Sequence, residues 1–339
     1  MQQSNSQRSE EPQQRPFWDD LPARQSFGRR ARWVALVSIA FCAVGLSAGA
    51  QADSDEPMQL ELDSPRLVAD GTWSVQDVAW STSAEDLLEL HLENPAGELY
   101  LRPGPGSQIE VVGTLQRHVD DPRAPTFEQS LAHGTLHLRF GLADAVAHPS
   151  ADSDAETAAS EAPISDAWRK RRLDLIVFVP RELVLEAETL HERLRVKNAS
   201  APLRLKSTSG RIWATTTHAD VVAHSAYADV EIYFGGLEGK SAPRLSSITG
   251  SIAAHLPWDW RPCARLETRG TFLTDYSLDV EPFEAANVKV ALVGHETPGG
   301  AARDTLCLSL SSERGDLRLA RRISSSLEAS ESQHEGRNP

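Results

Sequence analysis

Positive charge is what this chain has least to spare. Its 34 lysines and arginines stand against 48 aspartates and glutamates, a net charge of −14. Nucleic-acid phosphates require clustered Lys and Arg, so this balance excludes nucleic acid as a partner. It argues equally against adsorption to anionic lipid. Cysteine is scarce, with Cys42, Cys263 and Cys307 the full complement. Outside the N-terminal apolar run, where Gly45-Leu46-Ser47-Ala48-Gly49 spells the pattern but no strand-to-helix turn is expected, there is no G-x-S-x-G elbow for a serine nucleophile. What remains is ordinary for a protein with a packed core, at 40% apolar and 24% charged residues.

One long apolar run exists, and it lies near the N-terminus. Residues 1–32 are polar and end in Arg29, Arg30 and Arg32; then comes the uncharged stretch Trp33 to Leu46. Ala48-Gly49-Ala50 or Ala50-Gln51-Ala52 follows as an A-x-A cleavage site. Positive, apolar and small-residue segments in that order read as a secretory signal. The run reaches 18 residues only with Ser47 to Ala50 included, short of the ~20 a membrane helix needs. Cleavage is therefore the expectation, and an uncleaved anchor over residues 33–52 the alternative, kept open by the long polar head. Either way the arginines stay inside and the remainder is exported, to the periplasm or cell surface. Arg29-Arg30 is followed by Ala31-Arg32-Trp33 rather than the apolar residues of a twin-arginine signal. Phe41 is too bulky to precede a lipidated Cys42.

Beyond the signal, the chain repeats. With Gly210 as reference, the turn position recurs at Glu192, Gly210, Ala228 and Gly250. Two places later stand Leu194, Ile212, Val230 and Ile252; four places later Val196, Ala214, Ile232 and Ala254. Three places earlier stand Thr189, Ser207, Ser225 and Ser247, and five earlier Ala187, Leu205, Ala223 and Leu245. Intervening columns are mixed, such as Glu188, Lys206, His224 and Ser246. Period-two alternation means strands with one buried face. A repeat of about 20 residues means stacked copies of one unit. "LHLENPAGELYL" around Gly97 and "LCLSLSSERGDLRL" around Gly315 fit the same template, and "ARLETRGTFLT" fits with a shorter turn at Gly270.

The fold class expected is all-β: a parallel β-solenoid of short two-strand coils with an N-terminal capping sheet. Like residues stack over like at ~4.8 Å, glycine serves the turns by taking positive φ, and the hydroxyl column is a corner ladder. Residues 57–142 hold N-terminal strands and a first repeat-like unit, and 167–322 the solenoid repeats. "SQIEVV", "GTLHLRF" and "RLDLIVFVP" read as strands of an entry sheet. Leu173 to Pro180, apolar apart from Asp174, is a run expected to be buried on both faces. Residues 143–166, rich in Ala, Ser, Asp and Glu, and the tail 323–339 read as disordered.

"LLELHLENPAGELYL", then "LDLIVFVP", then "LKSTSGRI" and "SSITGSI" resemble the bacterial putative-adhesin family of β-strand repeats, over about residues 87–320. The resemblance implies the repeat fold and an exported or membrane-linked location. The family has no defined catalytic residues, so it implies none here. Glu192 and Ala228 depart from it where glycine is usual.

Cys263 and Cys307 share an outward column. If Gly270 and Gly315 belong to adjacent coils, their Cα atoms lie ~5 Å apart, inside the disulfide range of about 4.4–6.8 Å. If one more coil intervenes, the separation is ~9.6 Å and no bond forms. The poor template match of residues 280–304 favours an excursion and a disulfide. His133 and His137, four apart on a strand, are ~13 Å from each other, too far to share an ion. His218, His224 and His255 fall in different columns, so neither metal nor cofactor is expected. The column Glu186, Arg204, Val222, Arg244 and Arg265 mixes charge signs as a solvated face does. Trp213, outward on its strand, and Trp258 and Trp260 in "HLPWDWRP" are the candidates for ligand contact, with an envelope protein or glycan as partner. A non-catalytic binding module or scaffold is expected. The alternatives are a membrane-anchored accessory of envelope-stress signalling and a glycan-active enzyme.

Overall fold

The computed structural model describes residues 60–322 apart from 69–70, 122–124, 143–169, 219, 239–240, 261–262, 282–287 and 295–306. All lie in the compact unit Pro57–Pro339. The signal or anchor segment, the acidic segment 143–166 and the tail 323–339 fall outside the described residues. Among those described the fold is all-β without helices, built as two open mixed sheets of 12 and 11 strands.

The strands in chain order are β1 (Glu61–Leu62), β2 (Arg66–Leu67), β3 (Trp73–Ser83), β4 (Glu89–Asn94), β5 (Leu99–Pro103) and β6 (Gln108–His118). Then come β7 (Pro125–Ala132), β8 (Thr135–Leu142), β9 (Arg171–Val179), β10 (Val184–Thr189), β11 (Leu194–Ala199) and β12 (Leu203–Ser207). β13 (Ile212–His218), β14 (Val221–Ser225), β15 (Val230–Glu238), β16 (Arg244–Ser247), β17 (Ile252–Pro257) and β18 (Cys263–Thr268) follow. The last are β19 (Phe272–Thr274), β20 (Asp279–Glu281), β21 (Lys289–Val293), β22 (Cys307–Ser312) and β23 (Leu317–Arg322).

Apolar residues alternate along these strands because one face of each sheet packs on the other. β12 and β14 bury every second residue, and Ile212, Val230, Ile252 and Leu317, in register on successive parallel strands, are fully buried. Burial of each such side chain contributes about 1.5–3 kcal/mol, the main term holding the sheets together.

A strand of one sheet passes through a tight turn into a strand of the other, and the unit so formed is a rung. At its corner sits a small hydroxyl with two tasks, except between β4 and β5, where the Asn94 amide donates to the Gly97 and Leu173 carbonyls instead. Ser207, Ser247 and Ser312 Oγ each accept from the N–H of their own turn glycine, at 2.8, 2.9 and 2.9 Å. The Ser247 and Ser312 hydroxyls donate to the turn carbonyls of Ala228 and Gly250 on the neighbouring rung, at 3.3 and 2.9 Å. A buried residue that must both donate and accept in so little space is serine or threonine. The turn glycines are explained by crowding rather than by positive φ. A Cβ on Gly210, Gly250 or Gly315 would lie against the backbone carbonyl of Glu192, Ala228 or Gly250 on the next rung, well inside contact distance. Of the glycines at the rung corners only Gly97, at φ 135°, has positive φ. The expectation from φ is thus corrected: the constraint is the closeness of stacked turns.

Spatial order departs from chain order at both ends. β22 lies between β16 and β18, and β23 between β17 and β19, all in parallel, so the rung made last is inserted beside one made earlier. At the other end β8 and β9 pair in parallel with β4 and β5, the unit lying between them and β10–β11. β8 and β9 therefore flank the β4–β5 unit in parallel as the strands of a rung do, although residues 143–170 separate them in the chain, where plain entry strands were expected. An insertion of that length hides the 18-residue period. Antiparallel strands complete the ends: β6 on β9, β3 on β6, β7 on β8, and β21 with β20 on β18.

β9 is not buried on both faces as expected. Leu173, Leu175, Val177 and Val179 point into the core, but Ile176 and Phe178 are only half-covered. The guanidinium of Arg102 lies 5.3 Å over the Phe178 ring and does part of that covering. The fully buried Asp174 accepts from the Glu98 N–H at 2.8 Å and pairs with Arg172 Nε at 2.7 Å. Burial raises the neighbouring Glu98 carboxyl above its usual range.

Candidate functional site

The outward face of the 12-stranded sheet carries a row that follows from the register. Tyr100, Arg195, Trp213 and Glu231 are neighbours on β5, β11, β13 and β15. Two residues further along, Tyr233 is opposite His255 on β17. Because parallel in-register strands place side chains side by side, flat groups in such a row stack. The Tyr233 and His255 rings are 4.1 Å apart at 4°, and Trp213 meets Tyr233 at 5.9 Å. Arg195 lies between two rings, 5.3 Å from Tyr100 and 5.5 Å from Trp213, a cation–π geometry. Only Tyr233 and His255 are stacked face to face, since Trp213 is tilted by 49° against Tyr233.

Glu231 is the polar centre of this row. It accepts from the Tyr233 hydroxyl at 2.7 Å, lies 3.2 Å from His255 Nε2 and pairs with Arg211. Burial would raise its carboxyl, but the Tyr233 hydrogen bond and the Arg211 charge lower it below the usual range. Burial first, then the adjacent carboxylate, push Tyr233 up to about 12. Burial lowers His255 despite Glu231. A charged carboxylate and a protonated phenol result, and neither is poised near neutrality for proton transfer.

The three predicted tryptophans are distributed differently. Trp213 sits half-buried in the aromatic row. Trp258 and Trp260 occupy the turn after β17 but diverge: Trp258 is 66% exposed, whereas Trp260 packs against the core and its backbone N–H donates to the Pro257 carbonyl at 3.2 Å. Cys263 and Cys307 form a disulfide on adjacent strands, with Cα atoms 4.5 Å apart. His133 lies in the turn between β7 and β8 at φ 52°. His137 faces His91 across β8 and β4, ring centroids 5.0 Å apart. The positions three and five after each turn hold Arg195, Trp213, Glu231, Tyr233 and His255, so tabulating those columns reveals the row. No period links His91 to His137.

A scan of family models and a search of curated proteins return no match. Among solved structures, the chain is similar to a putative cell adhesion protein from Clostridium sporogenes, at 9% identity and a TM-score of 0.37, covering 76% of this chain and 100% of that one. It is also similar to a putative adhesin from Bacteroides fragilis, at 8% identity and a TM-score of 0.27, covering 73% of this chain and 97% of the other. Superpositions this loose establish neither a shared fold nor a shared activity. Among the described residues no helix is long and apolar enough to cross a membrane.

Proposed function

We propose that the exported part of the chain is a non-catalytic parallel β-solenoid serving as an adhesin-like scaffold or binding module of the cell envelope. The observation that carries this reading is the register held through the 11-stranded sheet. Ala187, Leu205, Ala223, Leu245 and Leu310 form one row through five parallel strands, so each added rung lengthens a flat side instead of shaping a pocket. A recess beside Arg102, Lys197 and Asn198 has room for little more than a water molecule. Outward charges neutralise one another along the rows: Arg204 meets Glu89 at 2.6 Å and Lys206 meets Glu186 at 3.6 Å. Such a side suits an extended partner, an envelope protein or a glycan, with Trp258 as the exposed aromatic anchor.

Incubation of the exported protein with envelope polysaccharides tests the proposal. Saturable binding without shortened products is expected, and Trp258→Ala should weaken it roughly tenfold. Release of cleavage products overturns the non-catalytic reading. Unchanged binding by Trp258→Ala removes that tryptophan from the contact. The polar head before Trp33 also supports a membrane-anchored signalling accessory. Intact mass separates the two, since a chain beginning at Gln51 or Asp53 has no head to signal with.

A further inference from the structure

On the outward face of the 11-stranded sheet, Ser130, His137, His91 and Glu186 lie in one register row across β7, β8, β4 and β10. The His91 and His137 rings are tilted by 39°. His91 Nε2 is out of contact with water and lacks a hydrogen-bond partner. The Glu93 Oε1 atom, two residues along β4, stands 3.6 Å from it, too far for a good hydrogen bond. That separation is close to the spacing of two ligands on one tetrahedral ion, about 3.3 Å for bonds of ~2.0 Å. The other Glu93 oxygen is held by Arg139 Nε at 3.3 Å, which orients the carboxylate.

We propose that His91, His137 and Glu93 bind a single borderline divalent cation of the Zn²⁺ or Cu²⁺ class. Two neutral imidazoles and a carboxylate are the donors such ions prefer, and three protein ligands leave one position open. Among the described residues no group of three such donors is already placed to hold an ion, so binding here requires the His137 side chain to move. His137, exposed on β8, turns its ring toward His91 Nε2 and Glu93 Oε1. Glu186, on the far side of His91, is engaged 3.6 Å from Lys206 and remains outside the donor set. The bound ion would staple β8 to β4, whose pairing is out of chain order at this end of the stack.

Calorimetric titration of the metal-free, tag-free exported protein with Zn²⁺ and with Cu²⁺ tests this. One equivalent is expected, together with a Cu²⁺ spectrum showing two imidazole nitrogens. His137→Ala should weaken binding at least roughly tenfold and Glu93→Gln by less, while His224→Ala leaves it unchanged. His137 is exposed, so its variant remains decisive even if His91→Ala fails to fold. Binding unaffected by His137→Ala, or no binding up to about 1 mM metal, overturns the proposal.

Discussion

Cys263 and Cys307, separated by 44 residues of chain, are directly opposite each other on parallel strands β18 and β22. Their bond ties the rung made last to one made before the β20–β21 excursion. On the loop-closure model, a link across that length of chain stabilises by about 4 kcal/mol. Reduction, or the double change to Ser, should lower the urea midpoint by an amount equal to about 2–4 kcal/mol. Coincident curves for the oxidised and reduced protein would contradict this.

Inserting β22–β23 between its neighbours makes the C-terminal rung necessary to both. A chain ended at residue 300 leaves β16 and β17 without one partner strand each and separates β18 and β19 from the stack. Such a chain should lose hydrogen-exchange protection not only locally but also over residues 263–274. Retained protection there would mean that β18 and β19 dock without it.

Turn crowding predicts an asymmetry among glycines. Gly210→Ala drives a methyl into the Glu192 carbonyl and should destabilise by about 3 kcal/mol. An added Cβ at Gly106 meets nothing within 4 Å, so Gly106→Ala carries only the strain of its positive φ, about 1 kcal/mol. Ser312→Ala removes both corner hydrogen bonds and should cost about 1–3 kcal/mol. Denaturant melts of the three variants give the ranking.

Two histidines make stability depend on pH. Burial lowers His255, and burial with the Lys206 charge lowers His224, below their usual values. The unfolded chain takes up these protons near pH 6.5 while the folded one resists, so stability is complete above about 6.5 and falls as pH drops toward the folded values. Glu98, raised by burial, works in the opposite sense near its own lower range. Urea midpoints should decline from pH 7.5 to 5, and His255→Gln should flatten part of that slope. An unaltered slope in the variant would count against His255 as a source.

The buried columns were legible because packing imposes period two within strands and a fixed interval between them. Ser207, Ser225 and Ser247 betrayed the corner, and Cys263 and Cys307 betrayed their own adjacency. Less was visible where neighbours in space are remote in sequence. Nothing in β8 shows that His137 will sit beside His91, and the segment between β8 and β9 disguises that both flank the β4–β5 unit. The aromatic row was half-visible: Trp213 was found alone, whereas Tyr233 and His255 appear only when outward columns are aligned as carefully as inward ones. The repeat places the glycine turns but does not explain them, since proximity of the next carbonyl leaves no trace in a single sequence.

Parallel strands with like residues over like are also the geometry of a fibril. Here the pattern is finite because its borders are of another kind. Antiparallel β7 and β20 finish the smaller sheet, β1 finishes one side of the larger, and the remaining border, β19, is three residues long. β1, β19 and β20 are only two or three residues long, and β7, at eight residues, is antiparallel to its neighbour and so does not continue the parallel pattern. A molecule stripped of these borders would be a template, and what is a stack of rungs within one chain would continue through the next.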